Sequence, residues 1–528
     1  MKKNFVKSRW LFTMLLFVTT MIMPSMMLAQ ESITPTRPKG NGRAEPYLIS
    51  NAAELYWFAG LVNGTLKNVV QDASANAILT KDIIVNKGVL DEYKNLVFGK
   101  DFIPWTPIGT YEDLYSGIFN GQGHTISGLY FNDSGASNVG LFGRIYEGKI
   151  LNVGVLDSYF QFGTKGGGGV CGENYEGILQ NCSNSSTVIG KNDYCDAGGV
   201  CGFSLGTIES CYNTGSVSGE KYVGGVIGSY INGTITNCYY LENTATGGME
   251  GQDVPGKAEE MSEEQFASGE VAYLLAEGKA LVEQVWGQQL GKDRYPVLYS
   301  AYKVIKATQG DKDENGNEDT YWATFSNQTS DATLSVPSEL NRTLNVYNAT
   351  VRGGKLTLTE RDNHQVAMDE GVLLKTNGEY VNAKANETDG LLKVSYKKNH
   401  LVATPAVAQT VTANGYILYR LTYNDAIHKD RLGFYLSSID GKSLKATPGK
   451  AYLKVSKKEA KTPSSAALTR SFVFGGGNET TGIDEITIMG TDVQRHGTIE
   501  GIFDLQGRKI SNPTKGIYIK NNKKVIIK

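Results

Sequence analysis

The 528-residue chain is long enough for two or three domains, and its 52 basic residues against 54 acidic ones leave no basic surplus, which excludes the usual nucleic-acid footprint. Sixty-two glycines and 29 tyrosines point to an all-β protein built for an extracellular setting.

Read in chain order, residues 1–29 carry Lys2, Lys3, Lys7 and Arg9, then an uncharged run over 11–23, Pro24, and a cleavage point between Ala29 and Gln30. This is the pattern of a secretory signal peptide, and the run is too short for a membrane span. Its removal would lower the basic residues from 52 to 48 against 54 acidic ones, a net charge near −6. No cysteine lies near the cut, which argues against a lipid anchor.

Residues 40–245 are expected to form an N-terminal cap and a β-solenoid. Asn51 and Glu54 have capping-box spacing, and Leu55, Phe58, Ala59 and Val62 follow at helical spacing, which predicts a short helix covering the first coil. A glycine-framed phrase then returns four times as VGLFG, GGVCG, GGVCG and GGVIG, ending at Gly143, Gly172, Gly202 and Gly228 with steps of 29, 30 and 26 residues. A second glycine follows each phrase, at Gly148, Gly177, Gly206 and Gly233, in turns expected to need φ > 0. Each unit goes on with an apolar residue, two variable ones and a small one, from Ile150 to Val153, Leu179 to Cys182, Ile208 to Cys211 and Ile235 to Cys238. Columns that hold their type imply stacked strands about 4.8 Å apart, each coil burying its apolar side against its neighbours.

All six cysteines lie in this zone. Disulfides between coils are one reading, since a secreted context permits them. Cys171 and Cys201, however, share a column with Phe142 and Ile227, and Cys182, Cys211 and Cys238 share one with Val153, so buried thiols acting as small hydrophobes are favoured. Cys195 lies outside both columns. No C-x-x-C pair or nearby histidine suggests zinc.

The four phrases resemble the GLUG repeat of bacterial cell-surface and secreted proteins. The resemblance extends over residues 40–298, through PYLISNAAELYWFAGLVNG, WTPIG and GIFNGQGHTISGLYF upstream and EEQFASGEVAYLL and WGQQLGKDRYPVL downstream. It implies a surface or secreted location and no particular reaction.

Residues 246–300 read as a helical cap and linker, with a second capping box at Ser262 and Gln265 leading into Phe266, Val271, Leu274 and Leu275. Over 302–474, alternating strands with Asn-Gly or Asp-Gly turns at Asn315, Asn377, Asn414 and Asp440 predict an antiparallel β-sandwich. A linker over 475–500, opened by glycines 475–477, leads to a tail over 501–528 that ends in a hairpin turning at Asn521 and Asn522. The DLQGRKI and KGIYI segments of the tail are similar to a shortened C-terminal sorting domain of the type IX secretion system of Bacteroidetes. That resemblance implies contact with export machinery.

The chemistry-bearing candidates are few. Gly202 to Gly206 matches a G-x-S-x-G elbow around Ser204, but both glycines belong to the repeat frame. None of His124, His364, His400, His428 and His496 sits in H-E-x-x-H. Glu147 and Glu176 hold equivalent turn positions and could share a cation, though a wet turn ordinarily keeps such carboxylates solvated. Asp311, Asp313, Asn315, Gly316 and Asp319 suggest a calcium loop, but Trp322 replaces the closing glutamate, which favours an acidic hairpin loop. No catalytic, cofactor-binding or metal-ligating residue is assigned. The expectation is a non-enzymatic exported surface protein whose solenoid contacts a glycan or surface protein. A polysaccharide-acting β-helix and a passive surface component are the alternatives. The enzyme would need inward-facing acids or bases clustered along one solenoid face, and the aligned columns hold glycine, apolar residues, cysteine or small residues.

Overall fold

In the computed structural model, the described residues are 33–276, 279, 281–310, 320–386, 399–424, 428–461, 471–473 and 487–489, with the backbone of short strands at 502–503, 509–510, 516–520 and 523–527. The signal-like residues 1–29, the acidic 311–319 segment, His496 and the 475–477 glycines lie outside them.

The repeat zone is a parallel β-solenoid. Leu179 pairs in register with Ile150 and with Ile208, and Ile208 with Ile235. This column lies in a seven-stranded sheet that starts at Tyr47–Ile49 and ends at Thr234–Thr236. A second seven-stranded sheet runs from Ile83–Ile84 to Ala258–Met261. Three four-stranded sheets begin later, at Tyr130–Asn132, Ser137–Val139 and Phe142–Tyr146, so the first coils are simpler than the rest. Val153, Cys182, Cys211 and Cys238 point into one core, as the repeat predicts, and all six thiols are buried. The Cys182 amide donates to the Cys211 sulfur at 3.3 Å, so the column touches from coil to coil. Cys195, outside both columns, is also in that core.

The frame glycines are needed for a different reason from the expected one. Gly148, Gly177 and Gly206 are absent from the positive-φ positions, whereas Glu147 and Glu176 just before them have φ of 56°. A Cβ on Gly177 would stand 2.6 Å from the Gly148 carbonyl oxygen, and one on Gly206 would stand 2.3 Å from that of Gly177. Close stacking of backbones, not turn conformation, selects glycine there. Only Gly233 of this series combines both demands, with φ of 113°.

Both ends are capped. The helix Ala52–Val62 starts where Asn51 accepts a hydrogen bond from the Glu54 amide, but the Glu54 carboxylate turns back to the amide and hydroxyl of Ser50 rather than to Asn51. Leu55, Trp57, Phe58, Leu61 and Val62 are buried against the first coils. At the exit, Ser262 and Gln265 complete a reciprocal capping box at Glu263–Ser268. Gly269, at φ of 95°, then breaks the expected single helix, and Glu270–Leu275 forms a second one. Trp286 closes this end by donating from Nε1 to the Ser210 carbonyl at 2.8 Å.

Beyond residue 302 the antiparallel sandwich has three layers. A four-stranded sheet containing Tyr302–Lys306 and Tyr380–Ala385 packs on a six-stranded sheet containing Tyr321–Ser326, Leu344–Arg352 and Gly371–Thr376. A five-stranded sheet with Tyr416–Asn424 and Ala451–Ser456 covers the other face. In the middle sheet Val372 and Leu374 face the first layer and Leu373 the third, so an apolar run replaces simple alternation. Thr487–Met489, within the interval read as a linker, pairs in parallel with Thr357–Thr359 of this sheet. In the tail, Gly516–Lys520 and Lys523–Ile527 form the expected hairpin within a small four-stranded sheet.

Candidate ligand-binding face of the solenoid

On the sheet that starts at Phe142–Tyr146, Ile145, Asn174 and Ser204 form a buried column, and by strand alternation the residues before them face outward. That outer column is Arg144, Glu173, Phe203 and Ser229, in register across four coils. It changes chemistry at every step. The Arg144 Nε lies 3.1 Å from the Glu173 carboxylate, and its guanidinium lies between the rings of Tyr111 and Tyr175 at 4.6 and 4.2 Å. The Lys165 ammonium also lies 3.8 Å from the centre of the Tyr111 ring, and Phe203 continues the aromatic row 5.7 Å from Tyr175. Tyr111 is 57 % exposed.

A row of carboxylates accompanies the rings. Glu173 is 5 % exposed, and burial raises its carboxyl while Arg144, Lys165 and a backbone hydrogen bond from Gly166 pull it down. Asp196, on the next coil in the adjacent sheet, is pushed up to about 6, first by burial and then by the charges of Glu173 and Glu250. Glu250 is held by the Tyr230 amide at 2.9 Å and the Ser229 hydroxyl at 3.3 Å. Its surroundings thus hold the Asp196 carboxyl close to the neutral range.

Beside Tyr111 a cavity of about 360 Å³ is lined by Thr106, Glu112, Phe131, Ser137 and Asn138. Asn138 is 4 % exposed at φ of 59°, and neither atom of its amide has a hydrogen-bond partner among the described residues. The cleft combines apolar walls with unspent polar capacity, as small-ligand sites do.

The motifs singled out in the sequence lie elsewhere or are occupied. Ser204 is fully buried, and its hydroxyl oxygen accepts from the Gly206 amide and the Asn174 side chain, so it serves the inner ladder. Glu147 and Glu176 stack in exposed turns, and no metal-competent cluster of three ligands occurs among the described residues. His124 meets Asp82 at 3.4 Å, a partner that the sequence did not indicate. His400 accepts from the Val351 amide at 2.9 Å, and burial lowers its affinity for a proton. The aligned inward columns gave no sign of charge, and the Arg144, Lys165, Glu173, Asp196 and Glu250 cluster lies on the outer side of the coils instead. Its residues fall at the variable places of the repeat, so alignment of like with like passed over them.

No family model matches the chain. A stretch of 208 residues, 39 % of this chain, is 30 % identical to part of halomucin from Haloquadratum walsbyi, and the match spans 2 % of that protein's length. Among solved structures, a candidate immunoglobulin A1 protease from Bacteroides ovatus aligns with 49 % of this chain and 94 % of its own, at 18 % identity and a TM-score of 0.32.

Proposed function

We propose that this chain is an exported, non-enzymatic surface protein whose solenoid binds a glycan, or a partner on another surface, along the Tyr111, Tyr175 and Phe203 row. The observation that carries the reading is the guanidinium of Arg144 stacked between two tyrosine rings at 4.6 and 4.2 Å beside a half-open cleft. Flat rings accept the apolar faces of sugar units, and the flanking amide and charged groups can meet their hydroxyls. Export rests on the signal-like residues 1–29 and the sorting-like tail, and the GLUG-type assignment on the repeat phrase.

A glycan array probed with the mature protein tests this reading. Binding should fall about tenfold in Tyr111→Ala, an exposed position whose loss leaves the core intact. Absence of any ligand, or a ligand held equally by Tyr111→Ala and Tyr175→Ala, would sink it and leave the passive surface component. One observation favours a second reading, polysaccharide cleavage: Asp196 is pushed up to about 6, within the range of a general acid. Turnover of a bound polysaccharide that disappears in Asp196→Asn would put the enzyme in place of the binder.

A further inference from the structure

The three-layered stack carries a second cavity, unrelated to the solenoid face. It measures about 280 Å³ and is lined by Lys306 of the first layer, Trp322 and Thr324 of the middle one, Arg420 of the third, Lys445 of a separate two-stranded sheet (Gln409–Thr412 with Ser443–Ala446), and Lys450 in the turn that follows it. Among the described residues four cations line it, and no carboxylate does. This is notable in a chain whose acidic residues outnumber its basic ones.

Lys306 is paired with Glu379 at 3.0 Å. Arg420, Lys445 and Lys450 have no carboxylate partner among the described residues. Lys450 is the least free to escape, because its backbone is pinned: its carbonyl accepts from the hydroxyls of Ser326 and Thr404, and its amide donates to Thr404. Half-buried, its ammonium is lowered by burial and compensated by no neighbour. Lys450 thus loses hydration with no counter-charge beside it, while Arg420 and Lys445 stand exposed on the same cavity, and an anion bound there would supply the missing partner.

We infer that this cavity binds a compact oxyanion, a sulfate or phosphate group, between Arg420, Lys445 and Lys450. The planar fork of an arginine can meet two oxygens of such a group, and the two ammonium groups supply point charges for the others. The volume suits one tetrahedral group with water rather than a long polyanion. The group can arrive as the free ion or as an ester on a saccharide, and the two sources share this chemistry.

Titration calorimetry of the full chain with inorganic sulfate and with inorganic phosphate, at constant ionic strength in chloride, tests the site. Saturable binding with one site per chain is expected. Arg420→Gln, an exposed change that leaves folding intact, should weaken it about tenfold, as should Lys450→Met, whereas Lys149→Gln on the solenoid should leave it unchanged. A sulfated disaccharide that competes at a lower concentration than sulfate identifies the ester as the source; equal competition identifies the free ion. No saturation above the chloride background overturns the inference, and so does equal loss in Lys149→Gln.

Discussion

At the scale of single residues, the solenoid face is governed by charges that the fold has taken out of water. Arg144 and Glu173 answer each other, but among the described residues Asp196 has no cation of its own and feels the charges of Glu173 and Glu250. A carboxyl raised from its ordinary range to about 6 binds its proton more tightly in the folded than in the unfolded chain. Stability from this group is therefore full at low pH and declines as pH rises from the ordinary carboxylate range through about 6. Asp196→Asn should accordingly stabilise the protein at pH 7 by about 1–2 kcal/mol, after discounting for partial solvent contact, and should give no gain below about pH 4. Urea unfolding at a series of pH values reads this directly. A variant whose advantage stays constant with pH would mean that the gain comes from packing and not from the charge.

At the scale of the coil, the repeat conceals two opposite kinds of information. Gly177 is invariant in the frame because a Cβ there would lie 2.6 Å from the Gly148 oxygen and 2.7 Å from the Ile145 Cδ1 atom. Gly177→Val should destabilise the array by about 3 kcal/mol or more, with the strain falling on the contact between coils and not on a left-handed turn. Gly177→Ala separates the causes: it should retain most of that cost, because the first carbon already collides. Chemical denaturation showing Gly177→Ala near wild type would overturn the steric account. The architecture and the inward columns were legible in the sequence because stacking forces the same residue type to recur. The left-handed corners were legible too and were passed over as variable. Asn152, Asn181, Ser210 and Asn237 form one column with φ between 51° and 54°, and the Asn181 side chain donates to that of Asn152 at 2.9 Å. The Arg144, Glu173, Phe203 column was not legible, since on the outer side the coils have no stacking reason to agree.

At the scale of the whole molecule, the solenoid and the β-stack are joined through the exit cap, and the joint is small and specific. Asn382, buried in the first layer of the stack, accepts from the Leu290 amide at 2.9 Å and donates to the carbonyls of Gln288 at 2.7 Å and Lys303 at 3.3 Å. Around it pack Ala272, Leu290, Val304 and Tyr380. The composition of 302–474 announced antiparallel strands, but nothing local in the sequence marks an asparagine 92 residues from its partner as the clamp. Asn382→Ala strands a buried amide and a buried carbonyl, at about 1–3 kcal/mol for each group left unsatisfied. A solenoid is stabilised coil by coil, so the loss should remain local to the joint. Hydrogen exchange read by mass spectrometry should rise over residues 286–306 and 380–385 and stay unchanged over the coils at 149–209. Faster exchange throughout the coils would show instead that cap, stack and solenoid unfold as one cooperative unit, so that the stack would be part of what keeps the Arg144, Glu173, Phe203 column in register.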